Sequence, residues 1–287
     1  MTDLLEVDLA NLDAQMPALI EELLRGAGVI VIRQAFSAED IAEARELIMH
    51  YSTVEGDKET HFHGANADTV HLQRRVWNLL NKGEVFERMV QHHAVVEIIG
   101  AFLGSAFIMG SVAANRLLPG GPGQEPHVDY PYWDMYKRGE FPTNINSSFP
   151  LNAQATILLD PFTPESGATA MLTHSQGDLR YPDENDREHF HANAIRTTGE
   201  PGDCVIFNGM CWHCAMPNES DHDRTGVLIE YLPKFVAPLE DLRRGVKADV
   251  VERATPMLRQ LMALDYPYPE LLDEVDGGVA IGRDVES

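Results

Sequence analysis

Two histidines and one aspartate stand in this chain where a single metal ion could join them. In Gln124-Glu125-Pro126-His127-Val128-Asp129-Tyr130 the first two candidate ligands are separated by one residue. Side chains at i and i+2 of an extended strand share a face, so His127 and Asp129 can reach one ion. The third candidate, His213, closes the segment Gly202-Asp203-Cys204-Val205-Ile206-Phe207-Asn208-Gly209-Met210-Cys211-Trp212-His213. There Asn208-Gly209 is a hairpin signal that predicts His213 on the returning strand. Two imidazoles and one carboxylate leave three octahedral positions open, the arrangement with which non-haem iron(II) oxygenases take a co-substrate and dioxygen. A lone His-x-Asp is common in ordinary strands, so the weight rests on the ordered set, completed by Arg224. That arginine, eleven residues past His213, opens the apolar strand Val227-Leu228-Ile229-Glu230-Tyr231, where its guanidinium fork could hold a carboxylate bidentately.

Elements must position these groups. Residues 12–25 and 37–51 carry helical periodicity, the second opened by Ser37 with Asp40 three residues on. Val29–Ile32 after Gly28 reads as a buried strand, residues 84–104 as a helix stopped by Gly104, and 248–264 as a C-terminal helix. Residues 53–76 are polar and His-rich without a period, which reads as a mobile loop or lid, or as a surface loop with no role. From residue 106 the pattern turns to short β-like runs at 106–118, 126–130, 153–159, 168–172, 203–207, 210–216 and 224–232. Helices do not alternate with them, so a mainly β core with flanking helices, a double-sheet jelly roll or small barrel, is expected over a βαβ sheet. One domain is expected over 1–287, with N-terminal helices and first strands in 1–105, the β core and metal site in 106–236 and a helical segment in 237–287.

Lys and Arg total 22 against 45 Asp and Glu, a net charge of −23 that argues against nucleic acid and anionic membrane surfaces as partners. No basic leader or membrane-length apolar run is present, which predicts a cytoplasmic protein. Cys204, Cys211 and Cys214 are odd in number and crowded together, so packed, reduced thiols are expected rather than a disulfide framework, a redox pair or half a zinc site.

The ordered set resembles the phytanoyl-CoA dioxygenase-like family of iron(II)- and 2-oxoglutarate-dependent oxygenases, which also contains ectoine hydroxylase and related iron halogenases. The resemblance runs from about residue 25 to 236. It passes through the Gly28 strand, Arg75-Val76-Trp77-Asn78-Leu79-Leu80, Pro119-Gly120, His127-Val128-Asp129, Leu159-Asp160-Pro161-Phe162-Thr163 with Gly167, and the His213 to Arg224 segment. It implies a cupin-like double-stranded β-helix, iron(II) on His127, Asp129 and His213, and 2-oxoglutarate with its distal carboxylate on Arg224. It implies oxidation of a small-molecule substrate with dioxygen, most simply hydroxylation of an unactivated C–H bond, releasing succinate and CO2. The halogenases replace the carboxylate that is Asp129 here, so halogenation is disfavoured. Where relatives carry Pro-Gly-Ser-His, this chain has Thr173-His174-Ser175-Gln176, a loop read as substrate-facing or structural.

Gln154 and Thr156 fall on one face of their strand and are candidate co-substrate contacts, as is Asn115 just before Pro119-Gly120, although a buried hydrogen-bonded Thr or a turn-pinning Asn reads equally well. Tyr130, Tyr132 and Trp133 are candidate substrate contacts by their nearness to Asp129. His61, His63 and His71 are read as solvated or substrate-contacting histidines. A cupin-like metalloprotein, isomerase or binding protein, that does not use 2-oxoglutarate remains the alternative, against which Arg224 argues. The sequence is compatible with a homo-oligomer and does not fix the substrate.

Overall fold

The computed structural model describes residues 4–54, 67–129 and 150–264. The strands in these residues are β1 (Leu5–Glu6), β2 (Val29–Ile32), β3 (Gln73–Val76), β4 (Ile108–Leu117), β5 (Ala153–Leu158), β6 (Ala170–Met171), β7 (Ile195–Arg196), β8 (Cys204–Asn208), β9 (His213–Cys214) and β10 (Arg224–Leu232). The α-helices are α1 (Leu12–Arg25), α2 (Ala38–Val54), α3 (Glu84–Val90), α4 (His93–Leu103), α5 (Arg187–Asn193), α6 (Leu242–Gly245), α7 (Ala248–Arg253) and α8 (Pro256–Leu261). A major sheet runs β1-β2-β8-β5-β10-β4-β3 and a minor one β7-β6-β9. All pairs are antiparallel except β1 with β2. The jelly-roll class expected from the strand pattern is what forms.

The period of two decides where the core sits. Along the major sheet one face carries Ile30, Ile32, Ile206, Ala155, Ile157, Val227, Ile229 and Tyr231, packed on helix residues that include Leu19, Leu23, Ile48, Phe86 and Ile98. Each fully buried Leu or Ile here contributes roughly 1.5–3 kcal/mol of transfer free energy. The other face carries Val29, Val31, Val205 and Phe207, which meet Met171 and Cys211 of the minor-sheet side. Strand β2 is covered on both faces, which is why it reads as an unbroken apolar run. Farther along the sheet, where β5, β10, β4 and β3 lie, this inner face turns polar.

Several sequence expectations need correction. The helix expected over 84–104 breaks at Gln91 and His92, where the Tyr231 hydroxyl donates to Val90 O at 3.0 Å and satisfies a carbonyl at the end of α3. The helix expected over 248–264 is two short helices. Thr255 caps the second by accepting from Leu258 N at 3.1 Å, and Pro256 keeps its predecessor out of helical conformation. The stretch 53–76 is not one loop, because α2 runs on to Val54 and residues 73–76 form β3.

The largest correction concerns Asn208-Gly209. Strands β8 and β9 do not form a hairpin. β8 pairs with β2 and β5, whereas β9 pairs with β6 in the other sheet. The turn is a corner between sheets. Asn208 shapes it by accepting from Met210 N on its side chain (3.0 Å) and from Cys211 N on its carbonyl (2.9 Å). Gly209 lacks the left-handed backbone of a type I′ turn, and glycine is required for another reason: any Cβ there would overlap the Asn152 side chain.

Candidate active site

The corner delivers His213 to the minor sheet, opposite His127. These two residues form an isolated antiparallel bridge, with His127 N donating to His213 O at 3.0 Å and His213 N to His127 O at 2.9 Å. No regular strand forms over the expected 126–130 within its described part. The extended backbone through His127 nevertheless sends Asp129 to the same side, and Asp129 N donates to Gly209 O at 2.9 Å. Asp129 Oδ1 lies 3.8 Å from His127 Nε2 and Oδ2 lies 3.3 Å from His213 Nε2. One ligand atom from each of the three side chains lies within 4.8 Å of the others.

The histidines are held alike. His127 Nδ1 is 2.8 Å from Glu125 O, and His213 Nδ1 is 2.9 Å from Cys211 O, each carbonyl two residues back along the chain. A carbonyl can only accept, so both Nδ1 atoms carry a proton, which leaves the two Nε2 atoms, on the Asp129 side, as the ligand positions. Burial and the neighbouring His213 push His127 down to about 4, which keeps it a neutral imidazole. Burial opposes ionisation of Asp129 and His213 as well, but their mutual attraction prevails, lowering the aspartate and raising the histidine. Two neutral-capable imidazoles and a carboxylate on one side of a cavity fit iron(II) by donor type and by the open positions they leave.

The cavity measures about 320 Å³, at the small end of ligand sites. Its minor-sheet wall carries the triad with Thr169 and Ala215, and its major-sheet wall carries Ser111, Ala113 and Asn115 of β4, Gln154 and Thr156 of β5, and Arg224 and Leu228 of β10. All four arginine, asparagine, glutamine and threonine candidates from the sequence therefore face it. Arg224 is 3% exposed, its guanidinium carbon 4.8 Å from the Phe162 ring centroid, and Nε and Nη2 make no hydrogen bond. Burial, then the nearby Arg75, lowers it to about 10. Asn115 Oδ1 is likewise unpartnered. Buried donors without acceptors are rare and costly, so a cavity that presents two guanidinium N–H groups is shaped for an anion.

Arg75, which the sequence reading quoted only within the run 75–80 and gave no role of its own, also lines the cavity. It lies on β3 opposite Asn115, its guanidinium carbon 5.1 Å from the Trp77 ring centroid, and both side chains line the cavity. The signal was the Arg-Val-Trp run noted at 75–77. Tyr130, Tyr132, Trp133, His61 and His63 lie outside the described residues, while His71 is exposed. The Thr173–Gln176 loop is structural. Ser175 Oγ accepts from Trp212 N (2.8 Å) and donates to Leu172 O (2.6 Å), and Gln176 joins Gly26 O to the Cys211 thiol, all behind His213. His174 takes the left-handed backbone at φ 67°, the conformation for which glycine is the usual choice. The three thiols are buried, and burial raises the pKa of each, Cys211 and Cys214 to about 12.

A double-stranded β-helix with this triad and a buried arginine in one cavity is the architecture of a non-haem iron- and 2-oxoglutarate-dependent dioxygenase. The chain belongs to the phytanoyl-CoA dioxygenase (PhyH) family, whose model matches residues 24–226. Dioxygenase trt7 of Aspergillus terreus is 24% identical over 257 residues, covering 86% of this chain and 83% of that protein. The iron/alpha-ketoglutarate-dependent dioxygenase penM of Penicillium thymicola is 29% identical over 165 residues, covering 54% and 46%. Among solved structures, the epimerase SnoN in complex with Fe3+, alpha ketoglutarate and nogalamycin RO aligns with a TM-score of 0.59 at 17% identity, covering 85% of this chain and 91% of that one. At that identity the likeness speaks for the fold.

Proposed function

We propose that His127, Asp129 and His213 hold iron(II), that Arg224 takes the distal carboxylate of 2-oxoglutarate, and that the protein hydroxylates a C–H bond of a small metabolite or natural-product intermediate. The observation that carries this reading is one shared cavity with the triad on one wall and Arg224, whose Nε and Nη2 make no hydrogen bond, on the other. Bound there, iron supplies the coupling of 2-oxoglutarate decarboxylation, to succinate and CO2, with oxidation of the substrate by dioxygen.

The remaining work falls to the chain. Arg224 orients the co-substrate through a bidentate contact and is kept flat by Phe162 beneath it. Gly226, the next residue but one along β10, leaves room for the Phe162 ring, which would lie 3.1 Å from a Cβ there. Thr156 offers a hydroxyl from the next cross-strand row, and Asn115 an amide. 2-Oxoglutarate is a dianion, and Arg75 gives the cavity a second positive charge for it. Phe207, packed on the His213 ring at 4.8 Å, and Leu228 exclude water.

The test is succinate formation by anaerobically iron-loaded protein on admitting air, with and without 2-oxoglutarate. Iron-dependent succinate that falls at least tenfold in Arg224→Ala at subsaturating 2-oxoglutarate is expected. Iron binding without 2-oxoglutarate binding or turnover would refute the reading in favour of a cupin-like metalloprotein.

A further inference from the structure

Arg224 is the first residue of β10, where the sheet offers a partner strand on one side. It pairs with Leu117 of β4, whereas the ladder to β5 starts two residues later, at Gly226. The Leu117 carbonyl meanwhile accepts from the Asn218 side chain at 3.0 Å. A guanidinium fork grips a carboxylate well only when it is placed to within about 0.5 Å, so this strand end needs support. The support comes from the opposite face of the sheet.

Side chains alternate along β4 and β10. Ser111, Ala113 and Asn115 of β4, with Arg224 and Leu228 of β10, line the cavity, while Val112, Ala114, Val227 and Ile229 pack into the helical layer. Arg116 and Asp223 share that second face, each one residue from a cavity-lining group. There Arg116 Nε and Nη2 both reach Asp223 Oδ2 at 2.7 Å, and Arg116 Nη1 donates to Ser52 Oγ at 3.1 Å. Ser52 stands buried in the last turn of α2, and the two ionic side chains are 12% and 18% exposed. One bridge therefore ties together the residue before Arg224, the residue after Asn115 and the end of α2.

We propose that Asp223, Arg116 and Ser52 form a clamp in which Asp223 is a positioning residue, setting the reach of Arg224 into the cavity and thereby the affinity for 2-oxoglutarate. The proposal rests on the co-substrate reading above. Asp223 faces away from the cavity and acts through Arg224, by fixing β10 against β4 at the point where that arginine enters. Its charge works in the opposite direction. A carboxylate next to the anchor repels a dianion, so on charge alone the loss of Asp223 tightens 2-oxoglutarate binding, whereas loss of the clamp weakens it. The sign of the change thus separates placement from charge. Lysine in place of Arg116 keeps the charge without the fork, and so shares the loss of placement.

The experiment titrates 2-oxoglutarate into the anaerobic iron(II) protein, followed by its visible charge-transfer absorption. 2-Oxovalerate, with the same chain length and keto acid end but no distal carboxylate, is the matched probe. Asp223→Asn, which keeps the size of the side chain, should raise the 2-oxoglutarate dissociation constant at least fivefold and leave those of 2-oxovalerate and of iron within twofold. Arg116→Lys should behave alike, and carries the test if Asp223→Asn does not fold. The double variant should be within twofold of the weaker single one, because both changes break the same bridge. Tighter or unchanged 2-oxoglutarate binding, an equal loss for 2-oxovalerate, or losses that multiply in the double variant would overturn the proposal. So would failure of both single variants to fold, which would make the bridge a structural one. A wild-type protein that gives no absorption band with 2-oxoglutarate would instead refute the co-substrate reading beneath it.

Discussion

Replacing Arg224 by methionine should make the metal-free protein more stable and the liganded protein less so. The lowering of Arg224 from 12.5 to about 10 corresponds to about 3 kcal/mol spent on burying its charge, at about 1.4 kcal/mol per unit. The sign follows from protonation. A base whose folded pKa is depressed destabilises the folded state wherever it is charged, so the cost is fully present at neutral pH and is relieved only above about pH 10. Methionine removes that cost and forfeits the stacking on Phe162, about 1 kcal/mol, leaving a net gain of about 2 kcal/mol. For a chain of this size the gain raises Tm by roughly 4–6 °C. At 2-oxoglutarate one hundred times Kd the wild type gains about 2.7 kcal/mol, and the variant, lacking the anchor, gains little. Thermal unfolding with and without iron(II) and 2-oxoglutarate under argon should therefore show the two proteins exchanging rank. A variant that is less stable than wild type in both conditions would show that Arg224 is a structural ion and refute the reasoning.

Gly209→Ala should weaken iron binding at least tenfold, because the new Cβ forces Asn152 and the Gly209 carbonyl that receives Asp129 N to move; pairing it with Asn152→Ala should restore most of the affinity in a metal titration. Asp203→Ala should cost about 3 kcal/mol in urea unfolding, since Asp203 accepts from Gln34 N (2.9 Å), Glu200 N (3.1 Å) and the Arg33 guanidinium (2.8 Å). Those partners hold its pKa below 3.8, so its contribution is present above about pH 4 and is lost as pH falls through the lowered value; the variant should show a flatter acid limb. Ser175→Ala should cost about 1–2 kcal/mol by orphaning Trp212 N, with a several-fold rise in the iron dissociation constant measured by the same titration. Ellman's reagent should find all three thiols unreactive in the native protein and three reactive ones in guanidinium.

The triad was legible because its information is local. A His-x-Asp needs only a period of two, and the bridge partner His213 carries its own strand-like neighbours. Arg224 was legible because an arginine opening an apolar strand is conspicuous. What holds these groups left no mark on side-chain identity: Glu125 and Cys211 orient the two imidazoles through backbone carbonyls, which every residue possesses. Arg75 was hidden because its four-residue strand follows a stretch without a period, and only pairing with β4 shows that it faces the cavity. The Asn208-Gly209 signal misled for a related reason. Its residues do reverse the chain, but whether the returning segment pairs with its predecessor or crosses to another sheet is decided by β6 and His127, far away in sequence. Glycine at 209 answered to the Asn152 side chain and not to turn handedness.

The two sheets are unequally anchored. The major one is fastened by a helical layer along its outer face, whereas β6, β7 and β9 are two residues long and the His127 bridge is a single pair. Iron coordinated by residues 127, 129 and 213 would act as a rivet through the thin sheet, supplying cohesion that its few backbone bonds do not. Loss of metal would then loosen one half of the molecule ahead of the other. In hydrogen exchange, amides of His127, Asp129 and His213 should lose protection on chelation while those of β5 and β10 keep theirs, so the protein would report its own iron status through the softness of one wall.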